Sequence, residues 1–175
     1  GVHKVVLNYM QKVFLRKVDL ISTETIKGYE LLGNDELFSK FKNKIYLITN
    51  GFYRTDVLNT VRMDRKRKVF TTSGRMGSYP KNSELFVEVL KRLELKDWRV
   101  NIIGTFENDF EHFFNKNVVE NKKLCDKVNV YKWIKEKDEY YELLKTSSVF
   151  CITSRTESFC IAAIEALACG NYIIT

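Results

Sequence analysis

Proline is almost absent: Pro80 is the one example in 175 residues. Fixed breaks are therefore few, and element limits must be read from hydrophobic period and glycine. No apolar run approaches the roughly 20 residues of a membrane span, and Gly1-Val-His-Lys4 carries no signal-peptide pattern. The four cysteines, Cys125, Cys151, Cys160 and Cys169, have no CxxC spacing. Three lie in apolar segments, which reads as buried free thiols in a reducing compartment rather than a disulfide framework or a metal site. No G-x-G-x-x-G occurs, so a nicotinamide or flavin cofactor is not expected. Repeats and low-complexity segments are also lacking.

Charge is unevenly placed. The net charge is +7. Residues 1–68 hold 14 Lys/Arg against 7 Asp/Glu, whereas residues 69–175 hold 15 of each. The basic excess belongs wholly to the first part, where it suits either an anionic partner or a solvated face. Its tightest cluster, Arg62-Met-Asp-Arg65-Lys-Arg-Lys68, reads equally well as a solvated linker.

From residue 68 the pattern alternates. Strands are expected at Val69–Ser73, Arg99–Ile103, Val128–Tyr131, Val149–Ile152 and Tyr172–Thr175. Helices are expected at Asn82–Leu95, Asn108–Leu124, Glu136–Lys145 and 158–169. Strands separated by helices of this length predict an α/β fold with a doubly wound parallel sheet. The chain stops on a strand whose face wants a further helix, so truncation at the C-terminal end is expected. Residues 1–50 read as a separate unit: a helix over Val5–Lys17, a strand at Asp19–Ser22, a second helix over Glu24–Phe41, a strand at Ile45–Ile48, and a turn at Asn50-Gly51. So short a piece is expected to be the end of another domain or a connecting segment.

Ligands of a doubly wound sheet bind outside the carboxyl ends of its strands. After the first strand of the regular region comes Ser73-Gly74-Arg75-Met-Gly77, then Lys81-Asn82. Glycine lets the backbone approach a ligand; Arg75 and Lys81 could neutralise one diphosphate, or be two surface cations. After the second comes Gly104, by itself only a turn signal. After the third comes Tyr131-Lys-Trp133-Ile134, where Trp133 suits either a nucleobase or the core. After the fourth, Thr153-Ser-Arg-Thr-Glu157 leads through Ser158-Phe-Cys-Ile161 into Glu165-Ala-Leu-Ala-Cys-Gly170. The N–H groups of 158–161 are placed at a helix start, a natural anion site. If the helix runs from Glu157, Glu165 lies roughly 12 Å along it, at about 1.5 Å per residue. That span suits a hexose at one carboxylate and a ribose at the other, rather than an acid/base couple. Glu165 is either a surface residue or, among small and apolar neighbours, a carboxylate that needs a partner.

Taken in order, Asn50-Gly51, Ser73-Gly-Arg75 with Lys81-Asn82, Ile102-Ile-Gly104, Val130-Tyr-Lys-Trp-Ile134, and Ser154-Arg-Thr-Glu157 with Glu165–Gly170 resemble the C-terminal half of a GT-B-fold glycosyltransferase of retaining family four, the glycosyl transferases group 1. The resemblance covers about residues 45–175. It implies a Rossmann-like domain (51–175) that binds a nucleoside-diphosphate sugar as substrate, with no metal and no other cofactor. It implies that Arg75 and Lys81 meet the diphosphate, that Glu157 contacts the donor hexose, and that Glu165 takes the ribose hydroxyls. Trp133 and Ile134 would line the base pocket. Gly74 and Gly104 would border the donor, and Ser158, Phe159, Cys160 and Ile161 would hold phosphate and sugar. Family members transfer hexosyl groups with retention by same-face attack within a short-lived ion pair, the leaving diphosphate serving as base. The acceptor would be a glycan or lipid-linked sugar in cell-surface polysaccharide synthesis, a setting in keeping with the Lys/Asn/Ile-rich composition of an AT-rich bacterial genome. The implied place is the cytoplasm, with room for peripheral contact with the inner face of the membrane through the rest of the N-terminal domain. Residues 1–50 would be the tail of that acceptor domain, and the piece alone would bind donor weakly and transfer little or nothing.

One departure matters. Where the family usually has Gly-Phe-Gly after the first acid, Ser158-Phe-Cys160 stands here, and Cys160 is expected to crowd the sugar. Two other readings remain. A basic nucleic-acid- or anion-binding module is weakened by the zero net charge of 69–175, where the site-like residues lie, so no nucleic acid is expected. A catalytically dead relative is disfavoured by the presence of Arg75, Lys81, Glu157 and Glu165.

Overall fold

The computed structural model describes residues 2–175, with side chains from Met10 onward. Two compact units share the chain, Gly1–Gly51 and Phe52–Thr175.

The first unit holds α1 (Val2–Lys17), β1 (Ile21–Thr23), α2 (Ile26–Asn34), a 3-10 segment (Phe38–Lys44) and β2 (Ile45–Leu47). The two strands pair in parallel, Ile21 opposite Ile45. Thr25 caps α2, its Oγ1 accepting from the Gly28 N–H at 3.0 Å. The long helix expected over Glu24–Phe41 is broken at Asp35. There the backbone turns extended, and the carboxylate accepts from the N–H groups of Leu37 and Phe38. An Asp able to cap the next turn competes with helix continuation. The Lys44 ammonium closes the end of α1 by donating to the carbonyls of Val18 at 2.6 Å and Arg16 at 3.1 Å. Asn50-Gly51 makes no turn.

The second unit begins with a short helix, α3 (Thr55–Leu58), and a 3-10 turn at Met63–Arg65, neither of which the hydrophobic period announces. Then follow β3 (Arg67–Ser73), α4 (Ser83–Arg92), β4 (Arg99–Ile103), α5 (Asn108–Phe114), β5 (Val128–Tyr131), α6 (Lys137–Thr146), β6 (Ser147–Cys151), α7 (Ile161–Ala168) and β7 (Tyr172–Ile174). The five strands form one parallel sheet in the order β5-β4-β3-β6-β7. The alternating strands and helices thus fold as the doubly wound α/β sheet that their spacing predicts. Three expected helices are shorter, that over 82–95 running only Ser83–Arg92. The one over 108–124 passes into a π turn at Asn115–Val119. The one over 158–169 starts only at Ile161.

Both faces of the sheet are covered. Phe86, Val87 and Leu90 of α4 and Phe110 and Phe114 of α5 pack on Val100 and Ile102. On the other face Tyr141 and Leu144 of α6 and Ala166 and Cys169 pack on Ile103 and Phe150. The i, i+3, i+4, i+7 spacing of Ser83, Phe86, Val87 and Leu90 is the buried stripe of α4. α7 ends in a Schellman arrangement: Gly170 N–H donates to the Leu167 carbonyl and Asn171 N–H to that of Ala166, with Gly170 at φ +77°. Among the described residues no helix is long and apolar enough to cross a membrane.

Within the basic cluster, Lys66 is not a linker cation. Its ammonium donates to the carbonyls of Cys169 at 2.6 Å, Ser147 at 2.7 Å and Leu144 at 3.1 Å. It thereby ties the carboxyl ends of α6 and α7 to the start of β6. Burial pulls its pKa down to about 8, while three carbonyls at helix ends favour the charged form. Arg62 pairs with Asp64, and Lys68 with Asp97. Replacing Lys66 with Met leaves these carbonyls without their donor and is expected to lower stability by about 1–3 kcal/mol, read by chemical denaturation.

Candidate functional site

The sheet order places the reversal of winding between β3 and β6. From β3 the chain proceeds outward through β4 to β5; on the other side lie β6 and β7. Loops leaving β3 and β6 diverge at that point and open a crevice above the strand ends.

The two loops are stitched to each other across it. Asn82 Nδ2 donates to the Thr153 carbonyl at 3.1 Å, and Thr153 Oγ1 to the Lys81 carbonyl at 3.2 Å. Arg155 N–H reaches the Pro80 carbonyl at 2.8 Å, and its guanidinium reaches the Tyr79 carbonyl at 2.7 Å. Asn82 holds a left-handed conformation (φ +51°), which asparagine tolerates well, so that α4 starts at once after the stitch. Lys81 and Glu157, one from each loop, meet as an ion pair at 2.6 Å. Ser154 Oγ donates to the same Glu157 oxygen at 2.6 Å. Partial burial raises the Glu157 pKa, but Lys81 and Ser154 outweigh it and hold the carboxyl below its ordinary value. Glu157, Lys81 and Cys160 border a small recess of about 20 Å³, room for roughly one water.

Beside this pair lies an open cleft of about 390 Å³. Its walls include Gly74, Lys81, Gly104, Trp133, Ile134 and Glu165. Gly104 is more than the turn signal it resembles in sequence. A Cβ there would stand 1.9 Å from the Gly74 carbonyl oxygen. Gly74 and Gly104 adopt positive φ, +152° and +133° respectively. The bare backbones let β3 and β4 close at their ends, and the Lys81 stem crosses where a Gly74 side chain would be. Trp133 is 78% exposed, which excludes core packing and leaves its indole on the cleft wall.

Glu165 is buried, 8% exposed, on the first turns of α7. The partner it needs comes from α6: Lys137 Nζ lies 2.6 Å and the Tyr141 hydroxyl 3.1 Å from its Oε1. Neither residue stands out in the sequence as a site residue. Lys137 is one of many surface lysines, and Tyr141 reads as core. Only the pairing of two helices shows what they hold. Ser73, Thr105, Lys132 and Tyr140 also line the cleft. Tyr140 lies 3.1 Å from Ser73 Oγ, and burial raises its phenol pKa well above the ordinary value.

Some expected site residues stand elsewhere. Arg75 is absent from the cleft wall and pairs with Glu107 at 3.2 Å. Ser158 and Phe159 form bends ahead of α7, so their N–H groups are not those of its first turn. Ile161 is the first helical residue and half exposed. With no helix between Glu157 and Ile161, the spacing of roughly 12 Å worked from an unbroken helix does not apply. What replaces that helical segment is a turn ending at Cys160, which caps α7 in the left-handed region (φ +58°, ψ +63°). Among the described residues no group of three or more His, Cys, Asp or Glu side chains is placed to hold a metal ion.

Comparison with known proteins follows the same outline. The family described as "Glycosyl transferases group 1" matches residues 56–175. An uncharacterized glycosyltransferase of Haemophilus influenzae is 31% identical over 111 residues, which are 62% of this chain and 30% of that protein. A glycosyltransferase from Rickettsia africae superposes with a TM-score of 0.69 at 17% identity, over 93% of this chain and 46% of that one. Anabaena HepE, solved in complex with UDP, superposes at 0.63 and 14% identity, over 90% and 44%. The chain thus spans less than half the length of each of these relatives.

Two outcomes are expected. A left-handed Cys costs about 1–2 kcal/mol that Gly does not, offset by about 0.4–1 kcal/mol of added freedom in the unfolded chain. Cys160→Gly should therefore raise the thermal midpoint slightly, and a lower midpoint would contradict the strain. In Lys81→Met the Glu157 carboxyl should titrate higher than in the parent protein, read by carboxyl NMR, because the main group that lowers it is gone.

Proposed function

The chain belongs to the glycosyl transferases group 1, and on that premise we propose that it is the donor-binding part of a nucleotide-sugar-dependent glycosyltransferase of the GT-B type. The observation that carries this reading is the placement of Lys81 and Glu165 on the wall of one open cleft, with the exposed indole of Trp133, just past the end of β5, on the same wall.

The roles follow from chemistry. Lys81 offers a cation to the diphosphate, the part a divalent metal plays in other transferases. Arg75 is held to Glu107 by an exposed ion pair worth under about 1 kcal/mol, and turns to the same anion at little cost. Glu165, acceptor-only when ionised, takes ribose hydroxyls. Trp133 and Ile134 present an apolar surface to the base. Glu157, already ionised beside Lys81, accepts from the hexose hydroxyls. UDP in the Anabaena protein is a ligand of this class. We assign the chain to the C-terminal half of a retaining family-four enzyme, with residues 1–50 as the tail of the acceptor-binding domain. Attack on the donor face that the diphosphate leaves gives retention, and the departing phosphate takes the acceptor proton. A glycan or lipid-linked acceptor in cell-surface polysaccharide synthesis completes the reading.

Binding decides it. Saturation-transfer NMR and calorimetry with UDP, GDP and ADP and their hexose conjugates should find one base that binds. Lys81→Ala and Glu165→Ala should each weaken it roughly 10- to 100-fold, the loss of charge-assisted hydrogen bonds. A folded protein with no nucleotide contact ends the proposal. Donor affinity should stay within about twofold when EDTA is added; a larger loss would show that a metal does the work assigned here to Lys81 and Arg75.

A further inference from the structure

Glu165 is more tightly specified than a ribose acceptor needs to be. Both of its donors, Lys137 Nζ and the Tyr141 hydroxyl, converge on one oxygen, Oε1. Oε2 makes no hydrogen bond among the described side chains, yet it is not a sealed orphan. The one buried polar side-chain atom without a partner among the described residues is Oδ1 of Asn171. Oε2 is thus left free to accept from a ligand in the cleft on whose wall Glu165 stands.

The two donors are themselves fixed. The Lys137 ammonium lies over the rings of Tyr140 at 4.9 Å and Tyr141 at 5.5 Å, an arrangement that restrains a long side chain by cation–π attraction. Tyr141 meets Phe52 edge-on, with ring centres 5.8 Å apart, and the Arg54 guanidinium lies 5.4 Å from its ring centre. Arg54 is anchored by Asp56 and Asp138. Burial and the neighbouring Glu165 charge push the Tyr141 phenol pKa up, so it remains a donor.

We propose that Lys137 and Tyr141 are positioning residues that hold Glu165 by Oε1 so that Oε2 faces the 2′,3′-diol of the nucleotide, making the site selective for ribonucleotide over deoxyribonucleotide donors. This rests on the donor-site reading above and deepens it. Tyr141 is not among the cleft-lining residues, whereas Lys137 stands on the wall itself, so the test must separate its hold on Glu165 from a direct contact. Without them the carboxylate swings, both of its oxygens compete for solvent, and the diol loses a preset acceptor. An apolar α7 alone cannot aim a carboxylate, because Ala162, Ala163 and Ala166 offer it no hydrogen-bonding side chain.

The test is a cycle of affinities. The tightest binder among UDP, GDP and ADP is compared with its 2′,3′-dideoxy counterpart, by calorimetry, on the parent protein and on Lys137→Met, Lys137→Arg and Tyr141→Phe. The parent protein should lose about tenfold or more on removal of the diol. In Lys137→Met and Tyr141→Phe that penalty should shrink to about threefold or less, with dideoxy affinity within about twofold of the parent protein. Lys137→Arg should keep most of the penalty. A full diol penalty in Lys137→Met overturns the proposal. So does an equal loss for both nucleotides, which would mark Lys137 as a phosphate contact. If the parent protein binds no nucleotide, the donor-site reading fails first and the positioning roles fall with it; if it binds with a diol penalty that the variants leave intact, only the positioning roles fall.

Discussion

A parallel sheet wound outward in both directions from one strand has to part its loops where the winding reverses. In this protein that place is the seam between β3 and β6, and the candidate chemistry stands on it. The ladder Phe70–Val149 and Thr71–Phe150 sets the height of the two loops. The hydrogen bonds of Asn82, Thr153 and Arg155 then fix their separation. The Lys81–Glu157 pair depends on both. If the register of β6 against β3 slipped by one residue, the two charges would part and α7 would turn its other face to the cleft. Glycine serves the same constraint at the neighbouring strand end, where Gly104 and Gly74 touch backbone to backbone.

Charges inside this fold are placed against helix ends and rings rather than left alone. Lys66 gathers three carbonyls where α6 and α7 finish, and Lys44 does the same for α1 in the first unit. Glu165 is the reverse case, a carboxylate on an otherwise apolar helix whose compensation comes entirely from α6. An uncompensated carboxylate at that burial would be costly and would protonate. Lys137 and Tyr141 supply that compensation through Oε1, and the carboxylate stands on the wall of the cleft where a sugar diol can reach it. Cys160 adds a different tension. It occupies a left-handed cap position where the resembled family usually has glycine, and it borders the same recess as Lys81 and Glu157. Its thiol thus narrows the place assigned to the hexose while its backbone carries local strain.

Much was legible beforehand because it depends on short-range chemistry. Apolar strands alternating with amphipathic helices determine a doubly wound parallel sheet, and the stripe Phe86-Val87-Leu90 already shows which side of α4 is inside. Lys81, Glu157 and Trp133 stand out because they follow strands, where the strand-end rule puts ligands, and Glu165 because a carboxylate among small and apolar helix neighbours needs a partner. Glycine at 104 was visible but not interpretable, since its necessity lies in a carbonyl thirty residues away. The start of α7 is not readable from sequence, because Cys160 carries no signature of a left-handed cap. Asp35 ended α2 by capping the next turn, an outcome that periodicity does not encode.

The sequence by itself therefore determined the class of fold, the order of its elements and most of the residues at the strand ends, because each is decided within a few residues of its own position. Tertiary structure alone decided which charges meet. Lys81 with Glu157, Lys137 with Glu165, Arg75 with Glu107 and Lys66 with three carbonyls are pairings of segments about 30 to 100 residues apart. Coulomb attraction acts on distance in space, and only the packed sheet sets that distance.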